Sequence, residues 1–296
     1  MAHPLKAPVH QRALGIVFIV VAAISWGTWP LYTREGAPPG LVVGFLTLTV
    51  MALPAPFVFR RAAFADRGAV GALVLAGLAD AGNVALYFPA LAGGPTVVAV
   101  LTHYLAPTLV ALAAPLVHEP RSRRALLASP MILLGLTLVL GDSPGDARGW
   151  LRTALFGAGS AVFYALNVLG SRRAQRTFSA GAVTSLHAVV GAATLLLCFG
   201  REALPVRADA GTWWVLFGAL VNGLGGALLF NHALRRLGAQ RVGVITYLEP
   251  LTAALIGVLW LGQPFTPLMA LGGGLVLVAG AWAAAEPALS GRDSSI

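Results

Sequence analysis

Residues Gly243 to Pro264 read GVITYLEPLTAALIGVLWLGQP, and this stretch decides the fold class. About 20 apolar residues rising 1.5 Å each cover the hydrocarbon thickness of a bilayer. Within that length sits an acid, Glu249, beside a helix-kinking proline, Pro250. Hydrocarbon offers no water to a carboxylate or to the carbonyl that a proline leaves unpaired, so both residues need a reason to be there.

The composition makes lipid the solvent. Of the 296 residues 57% are hydrophobic and only 10% charged, with a mean hydropathy of +0.80. A water-facing surface needs about 25% charged residues. The net charge of +9 is scattered between apolar spans, whereas a nucleic-acid footprint gathers basic residues on one face. One cysteine, Cys198, excludes an internal disulfide and a Cys-rich metal site. Lys6 and Arg12 before an apolar run resemble a signal peptide, but the run continues for about 20 residues without a small-residue cleavage site, so it reads as an uncleaved first helix.

Ten windows separated by Pro, Gly or Arg clusters are long enough to span, at 12–33, 39–60, 68–91, 94–117, 123–141, 150–172, 179–200, 211–235, 240–262 and 265–285. With the N-terminus inside, five basic residues (Arg34, Arg148, Arg152, Arg201 and Arg207) fall in outer segments and the other fifteen of the 20 in inner ones. The positive-inside rule then predicts cytoplasmic termini.

The halves resemble each other. VLTHYLAPTLVALAAPLVHEP (100–120) parallels VITYLEPLTAALIGVLWLGQP (244–264), so that Tyr104-x-x-Pro107 matches Tyr247-x-x-Pro250. Gly135-Leu-Thr-Leu-Val matches Gly274-Leu-Val-Leu-Val, and Trp26 with Arg34 parallels Tyr164 with Arg172. The expectation is two units of five helices, 1–143 and 144–296. Because five is odd, the second enters the membrane from the opposite side. Inverted repeats with a midplane site characterise many secondary transporters.

Polar residues within the spans are the site candidates. Asp80, Asn83 and Tyr87 share one helical face. An intramembrane acid usually faces a cavity, the alternative being a pair formed for packing. His103 and Tyr104 precede Pro107, and Thr246, Tyr247 and Glu249 precede Pro250. Each proline is expected to free the carbonyl four residues earlier, His103 and Thr246, and to act as a hinge. Ser160, Tyr164, Asn167 and Ser171 share a face with Phe163 adjacent, and read either as interhelical hydrogen bonding or as pocket lining. His187 and Asn222 read as local interhelical hydrogen-bonding residues. Trp26 and Trp29 read as cavity wall or interfacial belt, and Trp150, Trp213 and Trp214 as interfacial anchors. The Gly223-Leu-Gly225-Gly226 and Gly272-Gly-Gly274 runs lack the Gly-Lys-Ser/Thr ending of a nucleotide loop. No Ser/His/Asp set, carboxylate pair or His-Glu-x-x-His motif occurs, so neither an enzyme nor a metal or cofactor is expected.

Tyr-Leu-Glu-Pro, with Gly-Gln-Pro and a glycine-rich last helix after it, resembles the second EamA repeat of the drug/metabolite transporter superfamily. Pro107 through His118-Glu119-Pro120 resembles the first. Asp80 and His103-Tyr104-Leu105-Ala106-Pro107 are similar to the acid and Asn-Tyr-x-x-Pro motif of YddG-type amino-acid exporters, with His103 in place of Asn and Ala106 where an aromatic residue can stand. The resemblance implies an all-α ten-helix protein of the inner (plasma) membrane with a central pocket, alternating access and a small-molecule substrate. An amino acid would place its ammonium on Asp80 or Glu249 and its carboxylate on His103, Asn83 or the Tyr87, Tyr104 and Tyr164 hydroxyls. The alternative in the same fold is an exporter of drugs or quaternary cations, held by the acids and aromatic walls. The partners expected are lipid and substrate, with no nucleic acid, and a monomer is compatible with the sequence.

Overall fold

A computed structural model describes residues 9–33, 36–93, 96–140, 149–204, 207–262 and 265–285. Lys6, Arg34, Arg148, Arg292, Gln263-Pro264, the Trp150 side chain and the 143/144 junction lie outside the described residues. Among those described there is helix and no strand.

In chain order the first half contains α1 (Val9–Gly27), α2 (Trp29–Tyr32), α3 (Gly40–Ala52), α4 (Ala55–Val58), α5 (Arg67–Gly93), α6 (Thr96–His103), α7 (Ala106–Ala113) and α8 (Arg123–Leu140). The second contains α9 (Trp150–Ala174), α10 (Ala180–Ala203), α11 (Ala210–Gly218), α12 (Ala227–Leu237), α13 (Ala239–Ile245), α14 (Leu248–Trp260) and α15 (Pro267–Ala284). Seven stretches among the described residues are long and apolar enough to cross a membrane: His10–Tyr32, Arg67–Leu91, Val98–Val117, Leu151–Ala174, Ala180–Ala203, Ala210–Leu237 and Ala239–Trp260. Gly40–Ala52 and Pro267–Ala283 are apolar but shorter. Helix α8 opens on Arg123-Arg124. Large apolar side chains project outward, with Leu197 85% and Leu271 64% exposed. Such a surface is stable only against lipid.

The halves pack into each other rather than side by side. Helix α5 lies along α9, α1 packs on α12 and α14, α3 on α10, and α8 on α15. One buried cluster joins Ile19 and Val110 to Val168, Phe230 and Val242, and another joins Tyr104 and Ile132 to Tyr247 and Val276. The chain therefore has a shared core.

Two departures from regular helix have readable causes. The Gly223-Leu-Gly225-Gly226 run lies in a π-helical turn, Ala219–Gly226, that also carries Asn222. The Trp26 indole donates to the Asn222 carbonyl at 2.8 Å, and the Asn222 side chain bonds Ser25 and Thr28. Asn222 is thus the interhelical hydrogen-bonding residue the sequence suggested, and the Trp26 ring packs on Phe230.

At one end of the bundle a polar knot ties the halves together. His118, in the left-handed region at φ 62°, turns the chain so that Glu119 reaches the start of α13. There Glu119 accepts the Ala239 amide at 2.9 Å and the Arg172 guanidinium at 2.6 Å. Gln240 completes the knot, accepting from the Ser122 amide and donating to the Pro120 carbonyl. An acid at a helix N-terminus meets both unpaired amides and the positive end of the dipole. Nearby, Asp66 caps α5. The Thr177 hydroxyl and the Ala69 amide hold its carboxyl below the usual range.

Helices α8 and α15 cross backbone to backbone. A Cβ at Gly135 would stand 2.7 Å from the Gly272 carbonyl, and one at Gly272 would overlap the Gly135 carbonyl. We expect Gly135→Leu or Gly272→Leu to force the pair apart and destabilise the protein by roughly 1–3 kcal/mol, the usual effect of overpacking. Unfolding in detergent measures this, and an unchanged midpoint contradicts the crossing.

Candidate substrate site

The two proline stretches both break their helices at the middle of the bundle. Pro107 lacks the amide that would continue α6, so α6 ends at His103 and α7 restarts at Ala106. Pro250 likewise separates α13, ending at Ile245, from α14, starting at Leu248. One of the two carbonyls differs from expectation: Thr246 O is not free, because it accepts the Glu249 amide at 2.9 Å. The Tyr104 carbonyl, at the other break, accepts the Tyr247 hydroxyl at 3.0 Å. The matched tyrosines of the two halves therefore bond one break to the other.

The breaks face a cleft lined by His103, Tyr104, Ala106, Pro107, Tyr164, Thr246 and Glu249. Tyr104, Tyr164 and Glu249 stand together in the lining of this cleft. The His103 ring is stacked 4.2 Å from Tyr87 and meets Tyr164 edge-on at 5.5 Å. Its Nδ1 lies 2.9 Å from Ser160 Oγ, whose own proton goes to the Gly157 carbonyl. That direction makes Nδ1 the donor, and a neutral His103 then carries an acceptor at Nε2. The cleft has about 10 Å³ of room for the centre of a water molecule, enough for one water. This conformation is closed around its acid.

The other candidates divide. Tyr87 reaches the cleft through the His103 ring, whereas Tyr247 is buried behind it and serves the Tyr104 carbonyl. Asn167 donates to the Ala76 carbonyl at 3.0 Å, so its hydrogen bond joins α9 to α5. Phe163 packs against Gly82 of α5. Asp80 does not line the cleft; His187 Nε2 stands 3.1 Å from its Oδ2. Asn83 Oδ1 is buried without a partner among the described residues. Trp213 and Trp214 are exposed, as interfacial anchors would be. Sequence reading missed Ser160 as the partner of His103 and His187 as the partner of Asp80. For each, the partner is remote in the chain, and no local spacing announces it.

Residues 13–141 and 151–284 each match the EamA-like transporter family. The chain belongs to that family. It is a transporter of small molecules and a multi-pass membrane protein, in the drug/metabolite transporter superfamily expected from the Tyr-Leu-Glu-Pro stretch. The chain is 30% identical over 268 residues to an uncharacterized transporter of Archaeoglobus fulgidus, covering 89% of this chain and 93% of that one. It is 24% identical to the uncharacterized transporter YojE of Bacillus subtilis, over 85% and 87% of the two chains. A crystal structure shares the fold of this EamA-like chain with a TM-score of 0.74 at 24% identity, over 92% of this chain and 96% of that one.

Tyr247→Phe removes the donor to the Tyr104 carbonyl and leaves that carbonyl buried and unpaired. We expect a loss of stability of about 1–2 kcal/mol, between the membrane average for one hydrogen bond and the larger penalty for an orphaned group. Denaturation in mixed micelles checks it, with Tyr32→Phe, outside the cleft, as the neutral control.

Proposed function

We propose that this chain is a secondary transporter that exports amino acids and related amine-bearing metabolites by alternating access through the cleft at Glu249. The observation that carries the reading is an acid inside the bundle, at a helix break, in a cleft walled by Tyr104 and Tyr164, with Tyr87 against the His103 ring. A carboxylate with aromatic faces suits an ammonium group. Pro107 and Pro250 are the hinges in this account, and Thr246, His103 and Tyr164 complete the walls.

The architecture we propose with it has ten crossings, counting α3, α8 and α15 with the seven long stretches, both termini cytoplasmic, and two inverted repeats divided near 143/144. The packing supports this division. If α1 corresponds to α9, α3 to α10, α5 to the α11–α12 segment, α6–α7 to α13–α14 and α8 to α15, a two-fold axis exchanges the observed contacts. Contact of α1 with α12 and α14 becomes contact of α9 with α5 and α7, while α3·α10 and α8·α15 map onto themselves. The alternation of loop charge supports opposite insertion.

A second reading, export of organic cations that lack a carboxylate, is favoured by one observation. Two donors of the cleft are engaged, His103 with Ser160 and Thr246 with the Gly243 carbonyl. This leaves the tyrosine hydroxyls of the lining as the donors for a substrate carboxylate. Purified protein in liposomes, assayed for counterflow of neutral amino acids and of choline, separates the two readings. We expect amino-acid counterflow that falls roughly 10- to 100-fold in Glu249→Gln, the range for losing a hydrogen bond to a charged group. Unchanged counterflow in Glu249→Gln overturns the site. Choline counterflow without amino-acid counterflow selects the second reading.

A further inference from the structure

Asp80 and His187 are a titratable pair inside the bundle that the cleft does not use. Helix α5 brings Asp80 to α10 at a tight crossing, where a Cβ on Gly77 would overlap the His187 carbonyl and lie 2.6 Å from Val190 Cβ. The His187 side chain is 4% exposed and that of Asp80 21%. His187 uses both ring nitrogens, Nδ1 at 2.6 Å from the Val183 carbonyl and Nε2 at 3.1 Å from Asp80 Oδ2.

These contacts fix the proton count. A carbonyl only accepts, so Nδ1 carries a hydrogen. Nε2 and Oδ2 then need one further proton between them, held either as imidazolium and carboxylate or as imidazole and carboxylic acid. The two forms contain the same number of protons and differ only in where the shared one sits. Removing it leaves an imidazole lone pair facing a carboxylate 3.1 Å away, a repulsive contact carrying a net negative charge in a low-dielectric interior. The close approach of Gly77 to the α10 backbone holds the two side chains against each other, so loss of the proton favours separation of α5 from α10.

We propose that the Asp80–His187 pair is a proton-binding site through which transport is coupled to a proton gradient. The proposal rests on the transport reading but not on the identity of the substrate. One proton binds to the pair from one side of the membrane, holds α5 against α10, and leaves to the other side when the helices part; no bond other than those to this proton changes. The pair is connected to the cleft along α5, where Asp80, Asn83 and Tyr87 share a face and the Tyr87 ring lies 4.2 Å from that of His103, a cleft residue.

The surroundings leave this pair as the proton site of its crossing. From α9 the facing titratable group is Tyr164. Helices α3 and α4, which pack on α10, contain no titratable residue. On α12, His232 and Arg236 turn to Phe18 and Gln11 of α1, and Arg235 is exposed. On the pair's own helices, Arg67 opens α5 and Arg201 and Glu202 close α10, each more than three turns away, while Tyr87 lies two turns along α5 toward His103.

Histidine-ring NMR of ring-labelled protein in lipid nanodiscs tests the site without any substrate. The His187 signals are those lost in His187→Gln. We expect Nδ1–H with a shared proton at Nε2 in wild type, and in Asp80→Asn an Nδ1–H ring without the shared proton. An Nε2–H ring with bare Nδ1, or a ring unchanged between about pH 5 and 9, the range where histidine switches act, overturns the proposal. Liposomes loaded with a pH-sensitive dye test the coupling: an amino-acid mixture should move protons in wild type, and His187→Gln should keep amino-acid counterflow while losing at least nine-tenths of the dye response. Wild-type counterflow without proton movement overturns the coupling and leaves the transport reading intact. If no amino acid is carried, the substrate reading fails and the NMR result alone decides the proton site.

Discussion

A bilayer supplies no hydrogen bonds, so every backbone group released from a helix within it must find a partner in the protein. The arrangement around the cleft follows from this requirement. Pro107 interrupts one helix and Pro250 another, and the hydroxyl of Tyr247 closes the gap by donating to the Tyr104 carbonyl. The two breaks are thereby held against each other. Tyr104, its backbone held from behind, lines the cleft together with Glu249. The acid and the aromatic rings around it are brought together by the two breaks.

The same requirement appears elsewhere in the bundle. In the π-helical turn the Asn222 carbonyl accepts the Trp26 indole. Asn167 reaches the Ala76 carbonyl, and Gln175 donates to both the carbonyl and the side chain of Asn231. At the polar end Glu119 gathers the Ala239 amide and Arg172. In each case a residue of one helix completes the hydrogen bonding of another, and most of these bonds cross between the halves. The closed state is thus a set of specific polar contacts laid over close backbone crossings such as Gly135 with Gly272. The alternating access proposed for this chain would require those contacts to break in groups.

Much of this was legible in the sequence for a physical reason. Lipid-facing helices must be apolar throughout, so their extents appear as long runs, and α5, α9, α10 and α15 begin and end close to the windows drawn from composition. The proline breaks were legible because proline acts locally. Among candidate residues His103, Tyr104, Tyr164, Thr246 and Glu249 converge on the cleft, since rarity of polar groups in apolar helices marks them. What could not be read was pairing at a distance. Tyr247 and Tyr104 look equivalent along the chain, yet one faces the cleft while the other supports it from behind. Asp80 resembled a cleft acid until α10 was seen to bring His187 against it. The π-helical turn was visible only as a glycine run, because the widened backbone depends on what packs against it.

The central claim is that the cleft between the proline breaks opens in turn to each side of the membrane. Ala106 lines it and is buried in the closed state. Labelling of Ala106→Cys, in a Cys198→Ser background, by a membrane-impermeant thiol reagent in right-side-out and inside-out vesicles is the most direct measurement. The account predicts labelling from both sides, slowed in both by a transported amino acid. Labelling from one side alone, or from neither, would contradict it.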